Sequence, residues 1–279
     1  MAFKLEKIKD ELAEMYKNGK SYYQIAKEIG ENEQAVSNII RSVTGETPKK
    51  RKHAIDNTYF SKIDSVDKAY YFGLIAADGA IVYGKHDEED NPIGSPSMTI
   101  SLQVEDKYIL DHLKESTSYE GEIKTYNQSY QKRGYCYEQA RFVVMDKAFC
   151  SGLIEKGISE RKSKTLGRIL LNVEKEFQRD AIRGFFDGNG SVITTVTSGT
   201  KEKQYVLIRG NKDFLEELQE LISPIASKCT IRWDKGSTEG SGGWGLRFGG
   251  KQVNDFRDLM YHDNMGKYFL IRKRNKFFW

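Results

Sequence analysis

Cysteine, proline and histidine are scarce in this 279-residue chain, at three, four and four copies. Cys136, Cys150 and Cys229 are too few and too scattered for a disulfide framework, and none stands in a CxxC pair, which excludes a stapled secreted fold. The histidines form neither HExxH nor a Cys/His zinc spacing. Long apolar runs are missing as well. The longest, about nine residues from Ala69 to Ala77, falls far short of the roughly 20 that a bilayer span needs. The start, MAFKLEKIKDEL, is charged throughout and leads into no apolar stretch, so no signal peptide is expected. The expectation is a reduced, soluble, cytoplasmic protein with no membrane partner.

What the chain does contain is material for real cores. It is 38% hydrophobic, 12% aromatic and 30% charged, which excludes wholesale disorder. Its length leaves room for one large domain or two to three small ones. The net charge of +4 points only weakly to a polyanionic partner, and the distribution says more. Lys49, Lys50, Arg51 and Lys52 are consecutive. After Asp263 the tail holds Lys267, Arg272, Lys273, Arg274 and Lys276 with no acid among them.

Residues 1–43 read as a small all-α unit. Leu5, Ile8, Leu12 and Met15 make one apolar stripe that closes near Asn18-Gly19. Ser21 is a predicted N-cap with Gln24 as its capping-box partner, and Gly30 is the natural end of that helix. Asn32 then caps a third helix whose Val36, Ile39, Ile40 and Val43 are expected to face inward. Two short helices about a glycine turn form a helix-turn-helix. The other face of the last helix offers Gln34, Ser37, Asn38 and Arg41, side chains suited to base edges and phosphates. A packing module with no DNA role is the plainer alternative. Residues 44–57 have no apolar periodicity and carry the basic run, so they read as a cationic linker able to follow phosphates.

The remainder repeats weakly, with a period of about 110 residues. AYYFGLIAADGAIVY precedes SMTISLQV and EDKYILDHLKE; DAIRGFFDGNGSVIT precedes KQYVLIR and GNKDFLEELQE. Each copy later reaches an Arg-Lys step, at Arg161-Lys162 and Arg272-Lys273. The predicted order in each, over 58–168 and 169–279, is α-β-β-α-β-β-α. Gly73 and Ala77, like Gly184 and Gly188, are small residues four apart, so the two leading helices are expected to pack almost backbone to backbone. Asp78 ends the first of them. An acid in a last turn opposes the helix dipole at a cost of roughly 0.3–1 kcal/mol, which a bound hard cation explains better than stability does.

The nonamers YFGLIAADG (71–79) and IRGFFDGNG (182–190) resemble the LAGLIDADG motif. Over about residues 58–279 the chain therefore resembles the single-chain, two-repeat LAGLIDADG homing endonucleases, with the helix-turn-helix as an addition. The resemblance implies an α/β (α+β) fold in which two pseudo-symmetric repeats make a DNA-binding saddle. It also implies a monomer with an internal pseudo-two-fold, acting on a long, specific double-stranded site with Mg²⁺ (or Mn²⁺). The expected metal ligands are Asp78 and Asn189 with the carbonyls of Ala77 and Gly188. A basic residue near each site is implied too, with Lys162 and Lys273 as candidates and Lys164 as the fallback, and a polar residue after the first long strand, at Asp106 and Asn211. A bacterial or phage source is the expectation.

The second copy departs from the pattern. Asn189 stands where the first copy has Asp78, and Asp187 lies two residues earlier, opposite Ala76. Asn offers a carbonyl oxygen but no charge and no basicity. Asp187 is therefore a further catalytic candidate, and strand-biased nicking is a variant of the reading. The alternatives are a cleavage-deficient transcription regulator and an intron maturase. For base reading, SMTISLQV presents Ser97, Thr99, Ser101 and Gln103 on one face and Met98, Ile100, Leu102 and Val104 on the other. Short hydrogen-bonding groups on an outer face suit major-groove edges. Tyr135, Tyr137, Gln139 and Arg141 continue this style, as do Thr230, Arg232 and Arg247 in the second copy.

Overall fold

The computed structural model describes residues 8–18, 20, 22–45, 53–130, 135–197, 201–235 and 242–278. Contacts divide the chain into two compact units, Met1–Lys52 and His53–Trp279. Lys49, Lys50, Arg51 and Lys52 lie outside the described residues, as do Leu5 and Ser21. Residues 53–57 belong to the second unit, where the Asp56 amide donates to Thr117 O at 2.8 Å and the Glu120 amide to Ala54 O at 3.0 Å. Among the described residues no helix is long and apolar enough to cross a membrane.

In the first unit, α1 (Lys9–Lys17), α2 (Tyr22–Ile29) and α3 (Glu33–Thr44) close on Leu12, Ile25, Ala26, Val36 and Ile40. Gly30 takes φ +70°, left-handed backbone that only glycine adopts freely, and this turns α2 into α3. The Asn32 side chain accepts the Gln34 amide at 2.8 Å and so caps α3. Two expectations are corrected. Val43 is exposed in the last turn. Ser37 is buried, because it lies three residues from Ile40 on the inward face, and its small side chain fits there.

The second unit carries two repeats of one plan. The first runs α4 (Val66–Asp78), β1 (Gly79–Val82), a hairpin of β2 (Lys85–His86) and β3 (Pro92–Ile93), β4 (Ser97–Gln103), α5 (Lys107–Ser116), β5 (Lys124–Tyr130), β6 (Tyr135–Val144), α6 (Lys147–Ile154) and α7 (Lys162–Thr165). The second runs α8 (Gln178–Asn189), β7 (Gly190–Thr197), β8 (Lys201–Gly210), α9 (Lys212–Ile222), β9 (Thr230–Asp234), β10 (Gly243–Gly249), α10 (Lys251–Met260) and α11 (Ile271–Arg274). The antiparallel sheets are ordered β1-β4-β6-β5 and β7-β8-β10-β9, which is the same order in both. Among the described residues, the β2–β3 hairpin has no counterpart strand pair in the second repeat.

The predicted alternation of β4 holds. Met98, Ile100 and Leu102 are buried, while Val104 leaves the strand in a 3₁₀ turn. Ser65 caps α4, and the helix is buried from Ala69 to Ala77. One continuous core joins Phe72, Leu74 and Phe142 of the first repeat to Phe185, Phe186 and Phe256 of the second. Each repeat lays one face of its leading helix on the other, so neither buries its core alone.

Candidate functional site

α4 and α8 run side by side in the same direction because their small residues meet. A Cβ on Gly73 would stand 1.9 Å from Ala181 O, and one on Gly184 1.9 Å from Tyr70 O. A Cβ on Gly188 would lie 2.3 Å from the Ala77 Cβ and 3.2 Å from an Asp78 carboxylate oxygen. The two C-terminal tips are therefore adjacent, and the Asp78 carboxylate lies against the last turn of α8.

Asp78 is exposed at its tip, yet the protein packed around it raises its carboxyl above the usual value. Lys162, Lys273 and Arg272 oppose that shift, and Asp106 adds to it. Lys162, the first residue of α7, donates its Nζ to Ala77 O at 2.6 Å. Lys273, on α11, is buried and donates to Gly190 O. Burial pushes both ammonium groups down to about 8. The attraction of Asp78 works against this at Lys162; at Lys273 the neighbouring Arg272 adds to the depression while Asp187 and Asp78 oppose it. Lys164 is exposed on the outer side of the same turn. Asn189 is half-buried at the second tip.

Asp187 is not at the tip. Its side chain is wholly buried, and Oδ2 accepts the Tyr70 hydroxyl at 2.9 Å and the Leu270 amide at 2.7 Å. Burial raises its carboxyl to about 7, against both of those bonds and against Arg183 and Lys273. The expectation that Asp187 is a further catalytic residue beside Asn189 is corrected: two residues along a helix turn a side chain by about 200°, and here that rotation carries it into the core.

Sequence reasoning missed the company Asp187 keeps. Asp180, Arg183 and Asp187 make a buried polar stripe on α8, where the first repeat has Ala69, Phe72 and Ala76. Arg183 donates Nε to Tyr268 O at 2.7 Å and Nη1 to Met260 O at 2.9 Å, and it pairs with Asp180 at 2.7 Å. His262 joins Asp180 at 3.1 Å. The stripe thus grips residues 260–270, the segment that delivers Lys273. Charges at 180, 183 and 187, on one face of an otherwise apolar motif helix, were the available signal.

Asp106 is also buried, and it accepts Arg272 Nε at 2.6 Å across the two repeats. Its counterpart Asn211 caps α9 and donates Nδ2 to Lys164 O at 2.8 Å. The cationic tail is largely consumed by the fold. Lys267 pairs with Glu115 at 3.1 Å, and Arg274 lies over the Tyr261 and Phe269 rings.

The outer sheet faces differ in texture. On the first, strand register sets Ser101 beside Arg141 and Gln103 beside Gln139, with Tyr126 next in that row. Arg141 donates to Ser101 Oγ at 3.1 Å and to Tyr126 OH at 2.8 Å, and Tyr126 donates to Gln139 Oε1 at 2.6 Å. Gln139 in turn donates to Tyr137 OH at 3.3 Å. Ser97 and Thr99 lie on the same face, while the Tyr135 side chain is outside the described set. On the second face Arg209, Arg232 and Arg247 are exposed beside Thr230. Asp234 lies 3.3 Å from Arg209 and 3.9 Å from Arg247. In the first unit, Gln34 donates to Asn38 Oδ1 at 3.1 Å on the exposed side of α3, with Arg41 over the Tyr22 ring.

No family model and no curated protein matches the sequence. Among solved structures, the chain is similar to the homing endonuclease I-WcaI bound to its DNA recognition sequence, at 14% identity and a TM-score of 0.53 over 85% of this chain and 96% of that one. It is also similar to the LAGLIDADG homing endonuclease I-GzeII in complex with a DNA target, at 13% identity and 0.45 over 72% and 85%. The fold is that of the LAGLIDADG homing endonucleases.

Proposed function

From that fold we propose that the chain is a site-specific DNA endonuclease that hydrolyses phosphodiester bonds of a long duplex with a divalent metal, Mg²⁺ or Mn²⁺. The observation that carries this reading is the pair of adjacent helix tips, one flanked by half-buried Lys162 and the other by buried Lys273, together with two outer sheet faces rich in hydrogen-bonding side chains. Neighbouring tips on a pseudo-two-fold suit one scissile phosphate on each strand.

The donors fit a hard cation. Asp78 offers an exposed carboxylate, Gly188 a carbonyl and Asn189 an amide oxygen, while the Ala77 carbonyl would serve an ion only where Lys162 Nζ, which it accepts at 2.6 Å, gives way. Among the described residues no three His, Cys, Asp or Glu side chains gather as a metal group. That suits an ion which keeps most of its water and takes phosphate oxygens as ligands. When bound, such an ion polarises the phosphate and lowers the pKa of an attacking water. The chain's own work is positional and electrostatic. Asp78 would supply the charge that holds the ion, and Lys162 and Lys273 would bring positive charge to the scissile phosphate. Asp187 and Arg183 hold the segment that carries Lys273.

The outer faces of both sheets would read base edges through Ser97, Thr99, Ser101, Gln103, Tyr137, Gln139, Arg141, Arg232 and Arg247. Gln34, Asn38 and Arg41 of the helix-turn-helix, with Lys49–Lys52, would extend the footprint. Asn189 and Asn211 favour a second reading, a DNA-binding regulator without cleavage. Incubating the chain with a randomised duplex library and Mg²⁺ separates the two, because cut sites support the nuclease whereas sites bound but never cut support the regulator.

A further inference from the structure

The first repeat has something the second lacks. Asn189 follows Asp78 by 111 residues, but Asn211 follows Asp106 by only 105, so the first repeat carries six extra residues between its motif and α5. They fall in the stretch that carries the β2–β3 hairpin, where the second repeat instead runs β7 directly into β8. Its tip is internally braced, since Asp87 Oδ1 accepts the amides of Glu89 at 3.0 Å and Asn91 at 2.8 Å. The tip reads Asp87-Glu88-Glu89-Asp90, and four acids repel a polyanion. A phosphate contact is therefore a poor use for it.

Its bonds run instead to two consecutive residues just ahead of α7. His86 Nε2 lies 2.8 Å from Glu160 Oε2, a half-buried pair. Arg161 donates Nη1 to Asp90 Oδ2 at 2.5 Å and Nη2 to Asp90 Oδ1 at 2.9 Å, a two-pronged fork. Arg161 holds left-handed backbone at φ +57°, uncommon for its type, and Asp90 does the same at +65°. Lys162 follows at once. The turn behind it is closed by the Lys164 amide on Arg161 O at 2.9 Å and the Leu166 amide on Lys162 O at 2.8 Å. In the second repeat the counterpart of Arg161 is Arg272, which points inward to Asp106.

We propose that the β2–β3 hairpin is a positioning clasp: by gripping Glu160 and Arg161 from outside, it holds Lys162 against the Asp78 tip. The proposal rests on the nuclease reading. A lone exposed ion pair contributes little, but two grips on adjacent residues fix the peptide that aims the lysine. Asp90 and Arg161 are positioning residues, since neither reaches the tip.

The experiment uses the full chain and a duplex chosen by cleavage selection, with each strand labelled. Wild type, Asp90→Ala, Arg161→Asp and the Asp90→Arg/Arg161→Asp exchange are compared. The readouts are single-turnover rates for each strand, Kd, and hydrogen exchange at the Lys164 and Leu166 amides. Each single variant should slow one strand by roughly tenfold to a hundredfold, the scale of a misplaced group, with Kd and the other strand unchanged. The two amides should exchange faster, and the exchange variant should restore rate and protection. Wild-type rates on both strands in the single variants would overturn the clasp, as would equal slowing of both strands without rescue. A wild type that cuts no selected duplex would overturn the nuclease reading and the clasp with it.

Discussion

Asp78 stands at the tip of α4, and Asn189 at the same place on α8. The difference recurs one shell away, where buried Asp106 on the first side corresponds to Asn211 on the second. It recurs again in how the lysines are held. Lys162 is gripped through a surface hairpin, by Asp90 on Arg161 and His86 on Glu160. Lys273 is delivered by a segment held from within, by Arg183 and Asp187 on the backbone of Met260, Tyr268 and Leu270. Sheet order and the glycine contacts are the same on both sides. A duplicated frame is constrained by backbone sterics that tolerate no added atom, whereas charges need only find partners and so diverge. The side with more charge at its tip is the one with the surface clasp.

The largest expected effect comes from making the two tips alike in the wrong direction. Asp78→Asn removes the exposed carboxylate that both tips adjoin, so cleavage of both strands should fall below detection while binding stays nearly intact. Gel shift and cleavage of the same duplex check this, and unchanged rates at saturating Mg²⁺ would remove Asp78 from the site.

The next test attacks what the halves share. Gly73→Ala and Gly184→Ala each push a methyl against a carbonyl of the facing helix, and should destabilise by about 1–3 kcal/mol or more, to similar extents. Gly84→Ala, with nothing within 4 Å of its Cβ, is the control. Urea denaturation measures all three.

A smaller effect follows from giving the second tip what the first has. Asn189→Asp should narrow the gap between the two strand cuts, seen as less nicked plasmid between supercoiled and linear forms across a Mg²⁺ series. Two neighbouring carboxylates also repel when no metal is bound, so the variant should melt lower without Mg²⁺ and recover with it. Concerted linearisation in both proteins at every Mg²⁺ level would show that Asn189 does not limit the second cut.

The smallest effect separates the inner grip from the outer one. Burial holds His262 below its ordinary 6.5, with the Asp180 bond opposing. Such an imidazole takes up its proton more readily in the unfolded chain, so its contribution is present above about pH 6.5 and fades as pH falls below that. His262→Gln should flatten this acid-side loss in melts between pH 7 and 5, while Asp90→Ala, on the clasp, should leave it unchanged, because Arg161 holds that carboxyl below its ordinary 3.8 and so outside this range.

Much of this was legible in the residues. The two nonamers, their spacing and the alternation of β4 gave the repeats and both tips. Lys162 and Lys273 could be found because each follows an arginine at the same distance from its motif. Asp187 misled, since a carboxylate two residues from a metal position looks like a ligand until the helix rotation is fixed. Ser37 misled for the same reason, being polar but on the inward face. The β2–β3 hairpin was hidden in a stretch of acids with no periodicity.

Residue order alone settles the local and the repeated: which segments are helix or strand, that two motif helices must meet at glycine, and that one tip is an acid and the other an amide. These follow from side-chain period and from atoms that are absent, which are properties of residues taken a few at a time. Who partners whom is settled by packing: Arg272 with Asp106, Asp187 with Tyr70 and Leu270, and Arg161 with Asp90. Each of those pairs joins residues 71 to 166 positions apart, and no pattern along a chain records which distant charges a shared core will bring within 3 Å.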